Sequence, residues 1–300
     1  MRIATSQYQA TMLRGLEENQ SWISRLNEQM ASGNRLMVPS DDPVGAVQVS
    51  RLTREEALIA QYRDNISAVR IRMSSNESYL SSMTNEITQV NDLMVWAADG
   101  SNTSDDLNAM VTSLTALRDS LLYTSNQKDA EGRYVFSGTA VQAQPIQLNT
   151  ATGLYEYHGN DNKQVTVVGN GITQATNVDV KGMEDFLNKL NTAITALSDP
   201  NVQPNSSAVR DIVGNTMASA TSTLELVSGK VAQLGGAQNI LNTLYDNHSN
   251  VSLSNQNALL SLSKLDYAAA ATDLSGYQLA VEASYKAYSK VSGMSLFNIL

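Results

Sequence analysis

The chain has 300 residues and a formal net charge of −9, with 29 acidic and 20 basic side chains. An acidic chain without a Lys/Arg-rich patch is a poor ligand for nucleic acid or for anionic membrane surfaces. It has no cysteine, which excludes disulfide frameworks, cysteine metal sites and thiol nucleophiles. The sequence contains no run of about 18 consecutive apolar residues, so it predicts no membrane-spanning helix. Residues 1–9 lack the apolar region of a secretory signal peptide.

The first predicted element is a helix from residue 5 to about residue 32. Positions spaced by three and four residues are apolar apart from Asn19, and they are Met12, Leu16, Asn19, Ile23, Leu26 and Met30. Because the other faces are polar, this helix is marginal alone in water and needs a partner to pack against. Gly33 is a suitable residue at which to end it.

A connector with two prolines follows. Pro39 and Pro43 exclude helix and keep the chain extended. Asp42 then lies at the N-cap of the next helix, with Pro43 at its first helical position. The adjacent carboxylates of Asp41 and Asp42 also permit a metal site or a general acid–base pair, but capping requires nothing else from the chain.

The longest periodic stretch begins at Leu52. Fourteen positions spaced by three and four residues are apolar apart from Glu55 and Asn76. They are Leu52, Glu55, Ile59, Tyr62, Ile66, Val69, Met73, Asn76, Leu80, Met83, Ile87, Val90, Met94 and Ala97. This repeat predicts a rod helix of roughly 75–80 Å, counted from Pro43, that shares a narrow seam with partner helices. The alternative is an ordinary long helix inside one compact bundle. A third helix is predicted from Ser104, antiparallel to the second.

The pattern changes between residues 132 and 179, where glycines separate short β-branched and aromatic runs. Strands are predicted at residues 134–136, 154–157, 164–168 and 178–180. A short amphipathic helix follows, carrying Phe186, Leu190, Ile194 and Leu197. From about residue 205 a helical pattern continues almost to the end, with a shift of register at Leu260 that predicts a stutter in a continuing helix. Residues 296–300 are apolar, so we expect a partner to cover them.

These elements predict a mainly α fold: a long antiparallel helical rod or coiled coil made from both termini, with a small β-rich inserted domain. The two terminal helices each have only a narrow apolar face, so they can pair only with each other or with neighbouring subunits. This is typical of a polymer subunit. The predicted assembly seam consists of Leu16, Ile23, Leu26, Met30, Tyr267, Leu274, Tyr277, Val281 and Tyr288.

The sequence offers little for catalysis or metal binding. The two histidines, His158 and His248, lack metal-ligand spacing, and there is no G-x-S-x-G elbow. Gly229-Lys230 lacks the rest of a phosphate-binding loop. We therefore expect no catalytic, cofactor-binding or metal site, and no enzyme activity.

Three motifs carry a resemblance to a known family. Residues 29–36 (QMASGNRL) precede residues 39–46 (PSDDPVGA), residues 134–139 read YVFSGT, and residues 274–285 read LSGYQLAVEASY. With these motifs the chain resembles, over its whole length, the flagellin group of bacterial flagellar axial proteins. Within that group it is most similar to the hook-associated junction proteins between hook and filament.

The resemblance implies a layered subunit. Residues 1–40 and 265–300 would form an inner coiled-coil layer, residues 41–138 and 200–264 a helical rod domain, and residues 139–199 an outer β-rich insert. It also implies an extracellular structural protein of the flagellum that is exported through the type III apparatus without a cleaved signal peptide, guided by a cytoplasmic export chaperone. A ring of about eleven copies would join an adjacent hook-associated junction protein to flagellin, or to the filament cap during assembly.

Two alternatives remain open from the sequence. A short flagellin is the nearer one, although the context of Pro39 and Pro43 and the motif at Phe136-Ser137-Gly138 favour a junction protein. A cytoplasmic coiled-coil scaffold or signalling module is the other, and it predicts a stable oligomer whose terminal helices are already ordered.

Overall fold

The computed structural model describes the backbone of residues 2–293 and the side chains of residues 7–290. The fold is mainly α with two small antiparallel sheets, which confirms the predicted class. The helices of the described chain are α1 (Arg2–Ser32), α2 (Pro43–Ala97), α3 (Ser104–Ser125), α4 (Met183–Leu197), α5 (Ser207–Ser263) and α6 (Tyr267–Gly293). The strands are β1 (Ile146–Asn149), β2 (Leu154–Tyr157), β3 (Val165–Gly169) and β4 (Ile172–Ala175). The apolar tail at residues 296–300 lies outside the described residues.

The chain divides into two compact units, each with its own hydrophobic cluster. Unit 1 comprises Met1–Ile59 and Asn250–Leu300, and unit 2 comprises Ala60–Ser249. Helices α2 and α5 contribute residues to both units. The three-layer division expected from the resemblance stays a prediction. Between residues 2 and 293, no helix combines the length and hydropathy needed to span a bilayer.

The core of unit 2 forms along the periodic face of α2. The positions from Ile66 to Ala97 predicted by the three–four spacing are all less than 5% exposed: Ile66, Val69, Met73, Asn76, Leu80, Met83, Ile87, Val90, Met94 and Ala97. Helix α3 begins at Ser104, as predicted, behind a capping box in which Thr103 and Asp106 satisfy each other's backbone N–H groups. Its Leu107, Leu114 and Leu121 are fully buried in the same core. Regular apolar spacing therefore determines this part of the fold.

The sheets differ in part from the predicted strands. β2 and β3 are confirmed, and they pair with β1 and β4, which the sequence pattern missed because those strands are short and largely polar. The strands predicted at residues 134–136 and 178–180 are wrong, since each segment makes only an isolated bridge. Their apolar residues are buried for packing rather than for strand pairing: Phe136, Val178 and Val180 are at most 1% exposed.

The predicted continuous C-terminal helix is also wrong. Helix α5 ends at Ser263 and α6 begins at Tyr267. The Asp266 carboxylate caps α6, since its Oδ1 accepts hydrogen bonds from the N–H groups of Ala268 at 2.9 Å and Ala269 at 3.1 Å. The apolar spacing continues across this break, so the periodicity alone could not reveal it.

Candidate assembly surface

The terminal helices α1 and α6 pack together in unit 1 through a very small core. Leu26, Leu265 and Ala270 are its buried members. Met30, Leu274 and Tyr277 pack against them while remaining partly exposed. Helices of 31 and 27 residues normally bury far more apolar surface to be stable. The burial of apolar surface between α1 and α6 therefore stabilises the pair only weakly.

An aromatic stack adds a second contact between the two helices. The rings of Trp22 and Tyr277 lie nearly parallel, with 6.2 Å between centroids. The Arg25 guanidinium lies 5.6 Å from the centroid of the Trp22 ring and forms an ion pair with Asp41. Trp22 remains 48% exposed, so much of its surface is available to a further partner.

Residues 33–35, just after α1, and residues 263–265, just before α6, are joined backbone to backbone. The N–H of Leu265 donates to the carbonyl of Gly33 at 3.0 Å, and the N–H of Arg35 donates to the carbonyl of Ser263 at 2.7 Å. The Tyr267 hydroxyl donates to the carbonyl of Met30 at 3.1 Å. These bonds fix the register between the end of α1 and the start of α6.

Arg35 ties the same junction to the end of α5. Its Nε and Nη2 donate to the carbonyl of Leu262 at 3.3 and 3.1 Å, and Nη2 also reaches Oδ2 of Asp42 at 3.1 Å. The last carbonyls of a helix lack intrahelical donors, so a guanidinium at this position satisfies one of them.

The two adjacent carboxylates stabilise the connector. Oδ2 of Asp41 accepts the N–H groups of Val38 at 3.1 Å and Met37 at 3.0 Å, and these bonds, with Arg25, hold the pKa of Asp41 below its ordinary value. Oδ1 of Asp42 accepts the N–H of Gly45 at 2.9 Å, directly after Pro43 opens α2. That bond, with Arg35, lowers the pKa of Asp42. In the described part of the chain no group of His, Asp and Glu side chains is arranged to hold a metal ion.

The structure brings only part of the predicted seam together. Leu26, Met30, Leu274 and Tyr277 share one cluster, and Tyr267 contributes its hydroxyl while its side chain is 48% exposed. Of the remaining positions, Leu16 is buried, and Ile23, Val281 and Tyr288 are partly exposed. Whether these residues contact neighbouring subunits stays a prediction.

Sequence reasoning missed several residues of this site. Trp22 lies one position off the apolar register, and Leu265 lies in the break that the pattern did not reveal. Arg35 belongs to one of the sequence motifs, but its role depends on a carbonyl 227 residues away. Of these residues, only Trp22 could have been suspected from the sequence, because it is a large aromatic side chain.

Several apolar side chains are exposed at the surface of unit 1. Tyr8, Leu13, Leu279 and Tyr285 are exposed on the terminal helices, and Met37, Val38, Val44 and Val47 are exposed in and just after the connector. Each is at least 40% exposed. Exposed apolar side chains of this kind are candidates for contacts with other proteins.

The terminal helices of unit 1 pair through a small core, and unit 2 is helical with two small sheets. The family model described as "Bacterial flagellin N-terminal helical region" matches residues 3–141. The chain is 25% identical to flagellin of Escherichia coli strain K12 over 60% of its own length, but that match covers only 33% of the flagellin.

Hook-associated proteins match over a greater length. The chain is 30% identical to flagellar hook-associated protein 3 of Salmonella typhimurium, with 100% of this chain and 99% of that protein covered. The chain shares 29% identity and a TM-score of 0.67 with a solved structure described as a putative flagellar hook-associated protein from Vibrio parahaemolyticus, covering 74% of this chain and 99% of that chain. The chain belongs to the flagellar hook-associated protein 3 family, a family of structural flagellar proteins.

Proposed function

We propose that this chain is an extracellular structural subunit that forms the junction between a hook-associated protein and the flagellin filament. The full-length similarity to hook-associated protein 3 carries this proposal. It favours a junction protein over a short flagellin and over a cytoplasmic coiled-coil module. The function is mechanical and needs no catalysis or cofactor.

The contacts of unit 1 suggest how such a subunit works. Among the described side chains, the cluster between α1 and α6 has few buried members, and several apolar side chains on both helices are exposed. Assembly into a ring of about eleven copies would complete their burial, at about 25 cal/mol for each Å² of apolar surface removed from water. The helices could then transmit torque from the hook side to the filament.

The same features suit export before assembly. A chain with no cysteine carries no disulfide that would oppose passage in an unfolded form. Terminal helices with a small core unfold at low cost and leave their apolar stripes open to a cytoplasmic chaperone. Outside the cell, the partners are the adjacent hook-associated junction protein, flagellin, and the filament cap during assembly.

Deletion of the gene tests the proposal. We expect cells with intact hooks, no attached filaments, and flagellin monomers in the culture medium, with filaments restored by a plasmid copy. Filaments of normal number on the deletion strain would refute the junction function. The copy number separates this proposal from a flagellin: about eleven per flagellum for one closed ring, far fewer than a filament subunit requires.

A further inference from the structure

Unit 2 contains a cleft of about 470 Å³ that the proposed function does not use. It lies between the segment of α2 from Ala68 to Tyr79 and the loop from Lys128 to Val141, and Gln164 and Asn177 complete its wall. A volume of this size is within the range of sites that hold a small ligand or a few side chains.

Asn76 gives the cleft an unusual polar wall. It occupies a position of the buried α2 face, between Met73 and Leu80, and is only 2% exposed. Within the side chains that the structure describes, its amide has no hydrogen-bond partner, and it lines the cleft. Neither atom of this amide is fully buried, so both stay reachable from the cleft and can hydrogen-bond to a group that enters it.

The cleft has more positively charged side chains than carboxylates that could pair with them. Arg133 pairs with both carboxylates of the lining, Asp129 and Glu131, at 2.8 Å each. Arg72 makes only a 3.4 Å hydrogen bond to Gln164, and Lys128 lies 4.6 Å from the centroid of the Tyr134 ring.

Across residues 7–290, neither Arg72 nor Lys128 has a carboxylate partner. The cleft is thus locally cationic in a chain whose net charge is −9.

The rim of the cleft is apolar. Ile71 lies there with 71% of its surface exposed, and Val135 and Val141 line the opposite loop. A partner for this site therefore needs an acidic side chain that reaches the cations and Asn76, and an apolar neighbour that covers Ile71.

We propose that the cleft receives an acidic surface segment of a second copy of this chain. The proposal rests on the proposed function, because a ring requires that two different faces of each copy meet. Charge complementarity favours this occupant, since the chain carries an excess of acidic residues and the cleft carries two cations without a carboxylate partner.

A photo-reactive side chain at the rim tests the proposal. p-Benzoylphenylalanine in place of Ile71, in the full chain expressed in flagellated cells, should give a covalent dimer of this chain on illumination. Mass spectrometry should place the adduct beside an Asp or Glu of the second copy. No dimer, or an adduct with a different flagellar protein only, would overturn the proposal.

Charge-neutral variants show whether the cations matter. Arg72→Gln with Lys128→Gln should lower the yield of the Ile71 adduct about tenfold, as expected when a charge-assisted contact is lost. The same probe at Tyr123, which is also 71% exposed but does not line the cleft, serves as the matched control and should be insensitive to both variants. An unchanged Ile71 adduct would contradict the assignment.

Asn76→Leu separates binding from folding. If the amide serves the partner, this variant raises the thermal midpoint of the isolated chain and lowers the adduct yield. A raised midpoint with an unchanged yield would show that Asn76 does not take part in binding. Detection of the chain in purified flagella keeps the two proposals distinct. If the chain is absent from flagella, the proposed function is refuted. If it is present but gives no adduct, only the proposed contact at the cleft is refuted.

Discussion

Gly33 ends α1 with a backbone φ of +74°, in the left-handed region that side chains with a Cβ avoid. A Cβ at this position would lie 3.2 Å from the Tyr267 hydroxyl oxygen, which donates to the carbonyl of Met30. The carbonyl of Gly33 also accepts the N–H of Leu265. One residue thus controls the conformation that joins α1 to α6.

Gly33→Ala is therefore expected to weaken the terminal pair by about 1–2 kcal/mol, the usual cost of a left-handed alanine. The effect should appear as faster amide exchange at Leu265 and in the last turns of α1. Gly15→Ala is the matched control, because Gly15 lies inside α1 with open space around it and should gain helix propensity. Equal exchange in the two variants would show that Gly33 has no special role.

The carboxylates of Asp41 and Asp42 make the connector sensitive to acid. Their pKa values are lowered from an ordinary value of 3.8, so their stabilisation is fully present above pH 3.8. It is lost as the pH falls through the lowered pKa values of the folded state. Amide-proton shifts of Met37, Val38 and Gly45, followed by NMR from neutral to about pH 2, should report this loss.

Asp41→Asn gives the control for this titration. It should remove the acid-dependent step at Met37 and Val38, because Oδ2 of Asp41 accepts both of their N–H groups, and leave the step at Gly45, which depends on Asp42. A titration at Met37 and Val38 that persists in this variant would contradict the assignment.

At the scale of single residues, the sequence predicts interactions between residues that are close together in the chain. Asp42 and Pro43 were expected at the start of α2 because capping depends on residues three positions apart, and the structure has them there. Arg35 could not be assigned, because its acceptor is the carbonyl of Leu262, 227 residues away. No local pattern encodes such a distant partner.

At the scale of elements, the long apolar repeat was predictable and the breaks were not. The face of α2 from Ile66 to Ala97 follows directly from its spacing, since only one helical face can be buried along such a repeat. The segment from Lys264 to Asp266 interrupts the C-terminal helices although the apolar spacing continues through it. Short polar strands such as β4 escape prediction because pairing, rather than composition, makes them strands.

The pairing of α1 with α6 provides a prediction for one element. Leu274→Asp places a carboxylate beside the cluster that contains Leu26 and Tyr277, where an unpaired charge is strongly unfavourable. We expect export to continue, because a charge in an unfolded chain is tolerated, and stable incorporation into flagella to be lost. Immunoblots of purified flagella and of the culture medium measure the two outcomes.

Leu279→Asp is the matched control for folding, since Leu279 lies on the same helix and is 67% exposed. In a Trp96→Phe background, emission from Trp22 reports the stack with Tyr277. Leu274→Asp should shift this emission to longer wavelength and Leu279→Asp should not. Normal filaments grown on the Leu274→Asp variant would refute the importance of the cluster.

At the scale of the whole molecule, the two units differ in how well they are stabilised. Unit 2 has an extensive core built from α2, α3, α4 and α5, whereas the cluster of unit 1 has three buried members among the side chains of residues 7–290. A subunit that completes its terminal helices on assembly is a simple explanation of this contrast. It also explains why so many apolar side chains of unit 1 remain exposed.

Amide hydrogen exchange on the isolated chain and on purified flagella tests this account most directly. In the isolated chain, residues 10–30 and 270–290 should exchange far faster than residues 66–94 of α2, because little buried surface protects them. In flagella, the same terminal segments should become protected. Protection of the isolated termini equal to that of residues 66–94 would contradict the account.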